Sequence, residues 1–105
     1  MNFTQLGRAV QFTIIILPII ITWDGWIHSW YRCEERNDDV GGDEFSRHRD
    51  ATAVDTGFYD VIKRNNAYDE CYQCGLHGYK YDWVDRKTGK PVFGFHMQLE
   101  APRGS

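Results

Sequence analysis

The stretch Ala9–Trp23, AVQFTIIILPIIITW, constrains this chain more than any other. It holds fifteen residues without a charge, set between Arg8 and Asp24. As an α-helix it spans only about 22 Å at roughly 1.5 Å per residue, short of a hydrocarbon core of about 30 Å. Counted with its flanks from Leu6 to Ile27 it reaches about 33 Å, with Arg8 able to snorkel and Asp24 at the far interface. Trp23, Trp26, Trp30 and Tyr31 then form an interfacial aromatic belt.

Helical phase adds a second constraint. At 100° per residue, Gly7, Gln11, Pro18, Thr22 and Gly25 share one stripe, and Phe12, Ile16, Ile20, Trp23, Ile27 and Trp30 lie opposite. Small and weakly polar residues on one side suit a neighbouring subunit, and bulky apolar ones on the other suit lipid. Pro18 costs one backbone hydrogen bond, which membrane helices tolerate. The competing readings are a soluble core strand, since six isoleucines in eight residues favour extended structure, and a cleaved signal, for which no A-x-A-like site follows. The expectation is an integral membrane protein with a single N-terminal transmembrane α-helix, its belt included, over residues 1–31. Arg32 and Arg36 after the span, against Arg8 before it, favour the C-terminal part on the cytoplasmic or matrix side. A bacterial or mitochondrial inner membrane fits that layout.

Residues 32–54 read as a polar connector. Asp38, Asp39, Asp43 and Glu44 around Gly41-Gly42 do not meet calcium-loop spacing. Residues 55–100 read as a small α+β extramembrane part made of a short helix, a C-x2-C-G knuckle and a β-hairpin. Asp55-Thr56 caps the helix, Phe58, Val61 and Ile62 share its face, and Asn65-Asn66 stop it. Gly78–Val84 and Val92–Leu99 alternate as strands around the turn chemistry of Asp85–Pro91. Tyr79, Tyr81 and Trp83 on one strand are expected to meet Phe93, Phe95, Met97 and Leu99 on the other in a small core. Residues 101–105 form a tail.

Cys71 and Cys74 in the knuckle supply half of a tetrahedral zinc site, and His77 and His96 are positioned to complete it, with Cys33 as a further candidate. One structural zinc is the cofactor this pattern allows. A disulfide to Cys33 and free thiols are the alternatives. Redox catalysis lacks the βαβ setting it needs.

The net charge of −3 lacks the electrostatic footprint of a nucleic-acid binder. No G-x-S-x-G, phosphate-binding glycine loop or H-E-x-x-H is present, so the chain reads as non-catalytic. The expected function is an accessory, structural subunit of a larger membrane complex, energy-transducing by analogy of layout. Its partners are other membrane-protein subunits along the Gly7–Gly25 stripe, and the lipid bilayer. The alternative is a soluble or peripheral interaction module with a structural zinc knuckle.

Overall fold

A computed structural model describes residues 3–30 and 52–99. Helix α1 (Phe3–Thr22) leads into strand β1 (Trp26–Trp30). Strand β2 (Ala53–Phe58), helix α2 (Val61–Gln73), and strands β3 (His77–Val84) and β4 (Pro91–Gln98) follow. The strands form one antiparallel sheet in the order β1-β2-β4-β3. β4 therefore lies between β2 and β3, the strands that α2 connects, as in a split βαβ unit.

Both helices pack on one face of this sheet. Phe12, Ile16, Ile19 and Ile20 of α1 meet Ala67 and Cys71 of α2 over Val54, Phe58, Phe95 and Met97. The hydrophobic burial there, together with Trp23 Nε1 donating to Glu70 Oε1 at 3.0 Å, joins the two helices. Arg64 is a buried cation at the α2–sheet junction. Its Nη1 donates to Asp82 Oδ1 at 2.7 Å and to the Gly94 carbonyl at 2.9 Å, tying α2 to β3 and β4 at once.

The expected membrane span is overturned. Among the described residues no helix is long and apolar enough to cross a membrane. α1 stops at Thr22 because the chain turns left-handed at Asp24, with φ 60°. Gly25 N–H then bonds the Ile20 carbonyl and Asp24 N–H the Ile21 carbonyl, the paired closure of a Schellman motif. The flank that had to lengthen the helix to Ile27 is strand β1 instead. Helical phase does group Phe12, Ile16 and Ile20 on one face, but that face is buried in the protein's own core. Gly7, Gln11, Pro18 and Thr22 lie on its exposed side. The single-pass architecture and the inner-membrane location fall with the span.

The belt residues disperse accordingly. Trp23 bonds α2, Trp30 meets Phe12 edge-on at 6.1 Å and Trp26 lies on the opposite face of the sheet. Tyr31, the connector as far as residue 51, and the 101–105 tail lie outside the described residues.

The C-terminal half departs from expectation in three places. Asp55-Thr56 lies inside β2, and α2 is capped instead by Asp60, whose Oδ1 accepts from Ile62 N–H at 2.8 Å and Lys63 N–H at 3.0 Å. Asn65-Asn66 do not stop α2, because Arg64, Ala67 and Cys71 continue its buried stripe and tertiary packing overrides propensity. The hairpin forms as β3 and β4, but its register pairs Tyr79 with His96 and Lys80 with Phe95. Directly paired residues share a face. The Tyr79–Trp83 row therefore lies on the face opposite Phe93, Phe95 and Met97, away from the helices.

Candidate functional site

The residues around Cys71 close a helix. Leu76 N–H bonds the Cys71 carbonyl and Gly75 N–H the Tyr72 carbonyl, both at 3.0 Å, while Gly75 takes φ 88°. C-x2-C-G is here a Schellman terminus in which glycine fills the left-handed position. Cys71 is turned inward with Leu76, Cys74 outward, and both thiols are free. Burial, then the neighbouring Cys74 and Glu70 charges, push the Cys71 thiol up to about 12. His77 opens β3 opposite Gln98, and His96 lies within β4. Among the described residues no three His, Cys, Asp or Glu side chains converge on one point. Cys71, Cys74, His77 and His96 are thus not gathered into a knuckle, and Cys33 lies outside the described residues.

The sheet face turned away from the helices brings a different pair together. Asp55 and His96 are register partners in β2 and β4. Asp55 Oδ1 stands 3.0 Å from His96 Nδ1, with only a tenth of the histidine side chain exposed. On the other side of the ring, Nε2 stands 2.9 Å from Gln98 Oε1. Nδ1 is the nitrogen that faces the carboxylate, and as an N–H it donates to Asp55 Oδ1.

The ring is held on further sides. Tyr79 stacks on it at 5.1 Å with planes 17° apart. Tyr81 follows one register step along, its phenol pKa raised by burial and then by the charge of Asp55 and a hydrogen bond to it. A protonated phenol thereby serves as a donor beside the Asp55 carboxylate. Burial by itself pulls His96 toward neutrality, but the bonds to Asp55 and Gln98 and the Asp55 charge outweigh it, so its pKa is raised.

Asp55 and His96 offer two donors of the kinds that zinc takes, a carboxylate oxygen and an imidazole nitrogen. One imidazole nitrogen and one carboxylate oxygen on tetrahedral zinc, with bonds of about 2.0–2.1 Å, stand about 3.3 Å apart. The observed 3.0 Å needs only a few tenths of an ångström of opening. Gln98 holds the ring from its other side.

Of the expected site residues, His96 alone is in this pair. Asp55 was hidden because Asp-Thr ahead of Phe58, Val61 and Ile62 resembles a helix start. The available signal was the β-branched, glycine-containing run Thr52–Phe58 with one acidic residue at its centre, and a histidine, His48, seven residues before it.

A family model described as Peptidase M15 matches residues 17–81. The match takes in Asp55 and ends on β3 ahead of β4. No curated protein and no solved structure matches.

Proposed function

The chain belongs to the Peptidase M15 family, and on that premise we propose that it is a zinc-dependent peptidase whose metal is held by Asp55 and His96. The family is zinc-dependent. The observation that carries the reading is the Asp55–His96 pair, which presents a carboxylate and an imidazole nitrogen to one point, with Gln98 fixing the ring.

The third protein ligand in this reading is His48. Among the other histidines, His28 lies against Trp83 at 4.9 Å, and His77 stands opposite Gln98 without converging on the pair. His48 precedes Asp55 by seven residues in the sequence, and its imidazole is a ligand type that zinc takes. Zinc held there would supply Lewis acidity and lower the pKa of a bound water toward neutrality. Asp55 and His96 bind and orient, Gln98 holds the ring, and the Tyr81 phenol donates toward the Asp55 carboxylate.

The test is zinc stoichiometry by elemental analysis, together with peptide cleavage by mass spectrometry. One zinc per chain is expected, lost in Asp55→Ala, His96→Ala and His48→Ala and kept in Cys71→Ser and His77→Ala. Zinc retained without Asp55 and His96 but lost in Cys71→Ser would instead favour the second reading, an interaction module with a zinc knuckle.

A further inference from the structure

The sheet ends on two edges of different kinds. β1 is five residues long and its register slips between Ile27 and Ser29, which breaks the edge it presents. β3 runs eight residues in unbroken register with β4, and among the described residues no strand pairs with its other side. At the hairpin end Asp85 N–H bonds the Lys90 carbonyl at 2.9 Å. Alternation along the ladder then makes Trp83–Val92, Tyr81–Gly94 and Tyr79–His96 the hydrogen-bonded pairs. Gly78, Lys80, Asp82 and Val84 therefore turn their N–H and C=O groups outward. Tyr68 OH donates to one of these groups, the Gly78 carbonyl, at 2.8 Å.

The side chains along this edge are self-complementary. Lys80 and Asp82 lie on the helix side of the sheet. The Lys80 ammonium is 5.0 Å from the Tyr68 ring centre, and Asp82 gives Oδ1 to Arg64 with its side chain still 56% exposed. Tyr79, Tyr81 and Trp83 lie on the other side, with Tyr79 60% exposed. Outward backbone groups pair with outward backbone groups, so a second β3 running antiparallel settles in registers that differ by two residues of sliding. Two of these overlap all but one residue of the strand. Centred on Lys80, the pairing sets Lys80 against Lys80, and like charges directly opposite are destabilising. Centred on Tyr81, it sets Lys80 against Asp82 twice and Tyr79 against Trp83 twice, both favourable pairs. Further slips shorten the overlap. A lysine alone on an edge wards off other strands; Asp82 two residues on turns that guard into a selector of one register.

We propose that the outer edge of β3 docks a second copy of this chain, β3 against β3 antiparallel about a two-fold axis at Tyr81, joining two four-stranded sheets into one. Across the axis the backbones of Lys80 and Asp82 exchange hydrogen bonds in both directions, and Lys80 of each copy reaches the Asp82 carboxylate of the other. The aromatic row on the opposite side continues from one copy to the next through Trp83 and Tyr79. Exposed opposite charges add little affinity but fix register. An edge about 27 Å long buries an area at the low end of specific interfaces, so the dimer is weak.

Sedimentation velocity of the full chain from about 1 µM to about 500 µM is expected to show a monomer–dimer equilibrium with a micromolar Kd. Lys80→Glu and Asp82→Lys each set like charges opposite and are expected to raise Kd at least about tenfold. Their equimolar mixture makes both pairs opposite again and is expected to restore the dimer to within about threefold of wild type. Lys80→Pro removes an outward N–H, spares the β4 ladder and abolishes the dimer. Circular dichroism checks each fold, because Asp82→Lys also loses the Arg64 bond; if that variant does not fold, Lys80→Glu and Lys80→Pro decide. In a Cys33→Ser, Cys74→Ser background, Tyr81→Cys is expected to link to its own copy under mild oxidation, the two Cα atoms meeting at about 4.5 Å on the axis. Tyr79→Cys, whose copies stand about 13–14 Å apart in this register, is expected not to link. A chain monomeric throughout that range, a dimer that survives both Lys80→Glu and Lys80→Pro, or linking of Tyr79→Cys as readily as of Tyr81→Cys overturns the proposal.

Discussion

Asp55 and His96 stand 41 residues apart in sequence and 3.0 Å apart across the β2–β4 ladder, each held by strand register rather than by a loop. Side chains placed on paired strands keep their mutual geometry without a ligand. The same contact makes the metal-free protein sensitive to pH. His96 has a folded-state pKa raised above its ordinary 6.5. The associated stability is fully present below the unfolded value and lost as pH rises through the folded one. Urea midpoints of the metal-free protein are expected to fall as pH climbs from about 6.5 through that higher value. Asp55→Asn should flatten the dependence, and a wild-type profile already flat there would contradict it. If Asp55 and His96 hold zinc as proposed, its affinity is expected to run the other way and tighten with rising pH, because proton and metal compete for the imidazole.

Ile16 and Ile14 separate a core helix from a membrane helix. Ile16 is fully buried, while Ile14 is 67% exposed. Ile16→Ala is expected to cost about 2–5 kcal/mol through lost burial and the cavity left behind. Ile14→Ala should stay within about 0.5 kcal/mol of wild type. Thermal or urea unfolding without detergent reads both. Equal costs would mean that α1 is not seated as described.

Arg64 is the cation between α2, β3 and β4, so Arg64→Ala removes two charge-assisted bonds and the packing of its stem on Phe93, whose ring centre lies 5.7 Å from the guanidinium carbon. The expected loss is about 2–4 kcal/mol, since hydrogen bonds to charged groups contribute about 1.5–3 kcal/mol. Asp82→Ala, which removes an exposed partner, should cost less. Chemical denaturation of the two variants side by side checks the order.

Cys71 and Cys74 should differ sharply toward alkylating reagents. Burial pushes the Cys71 thiol up to about 12, and Cys74 is exposed at the end of α2. Since the thiolate is the nucleophile, iodoacetamide at mildly alkaline pH is expected to label Cys74 quickly and Cys71 only on unfolding. Peptide mapping assigns the label. Equal rates in the native protein would show that Cys71 is not shielded.

Much of the local structure is legible in the sequence. Tyr79, Tyr81 and Trp83 alternate as strand residues, Asp85–Pro91 carries turn chemistry, and Phe12, Ile16 and Ile20 share a helical face. These properties follow from backbone geometry, which needs no knowledge of neighbours. The end of α1 is less legible, because Asp24 rather than glycine takes the left-handed position and leaves no usual stop signal.

Tertiary structure decided what each face meets. Periodicity groups residues without naming the medium against them, so the isoleucine face assigned to lipid is covered by the sheet and α2. Alternation predicts strands without their register, and register turned the tyrosine row away from Phe95 and Met97. Placing β4 between β2 and β3 set His96 beside Asp55. Local sequence determined the elements; pairing across long separations, which no local preference encodes, assembled the site.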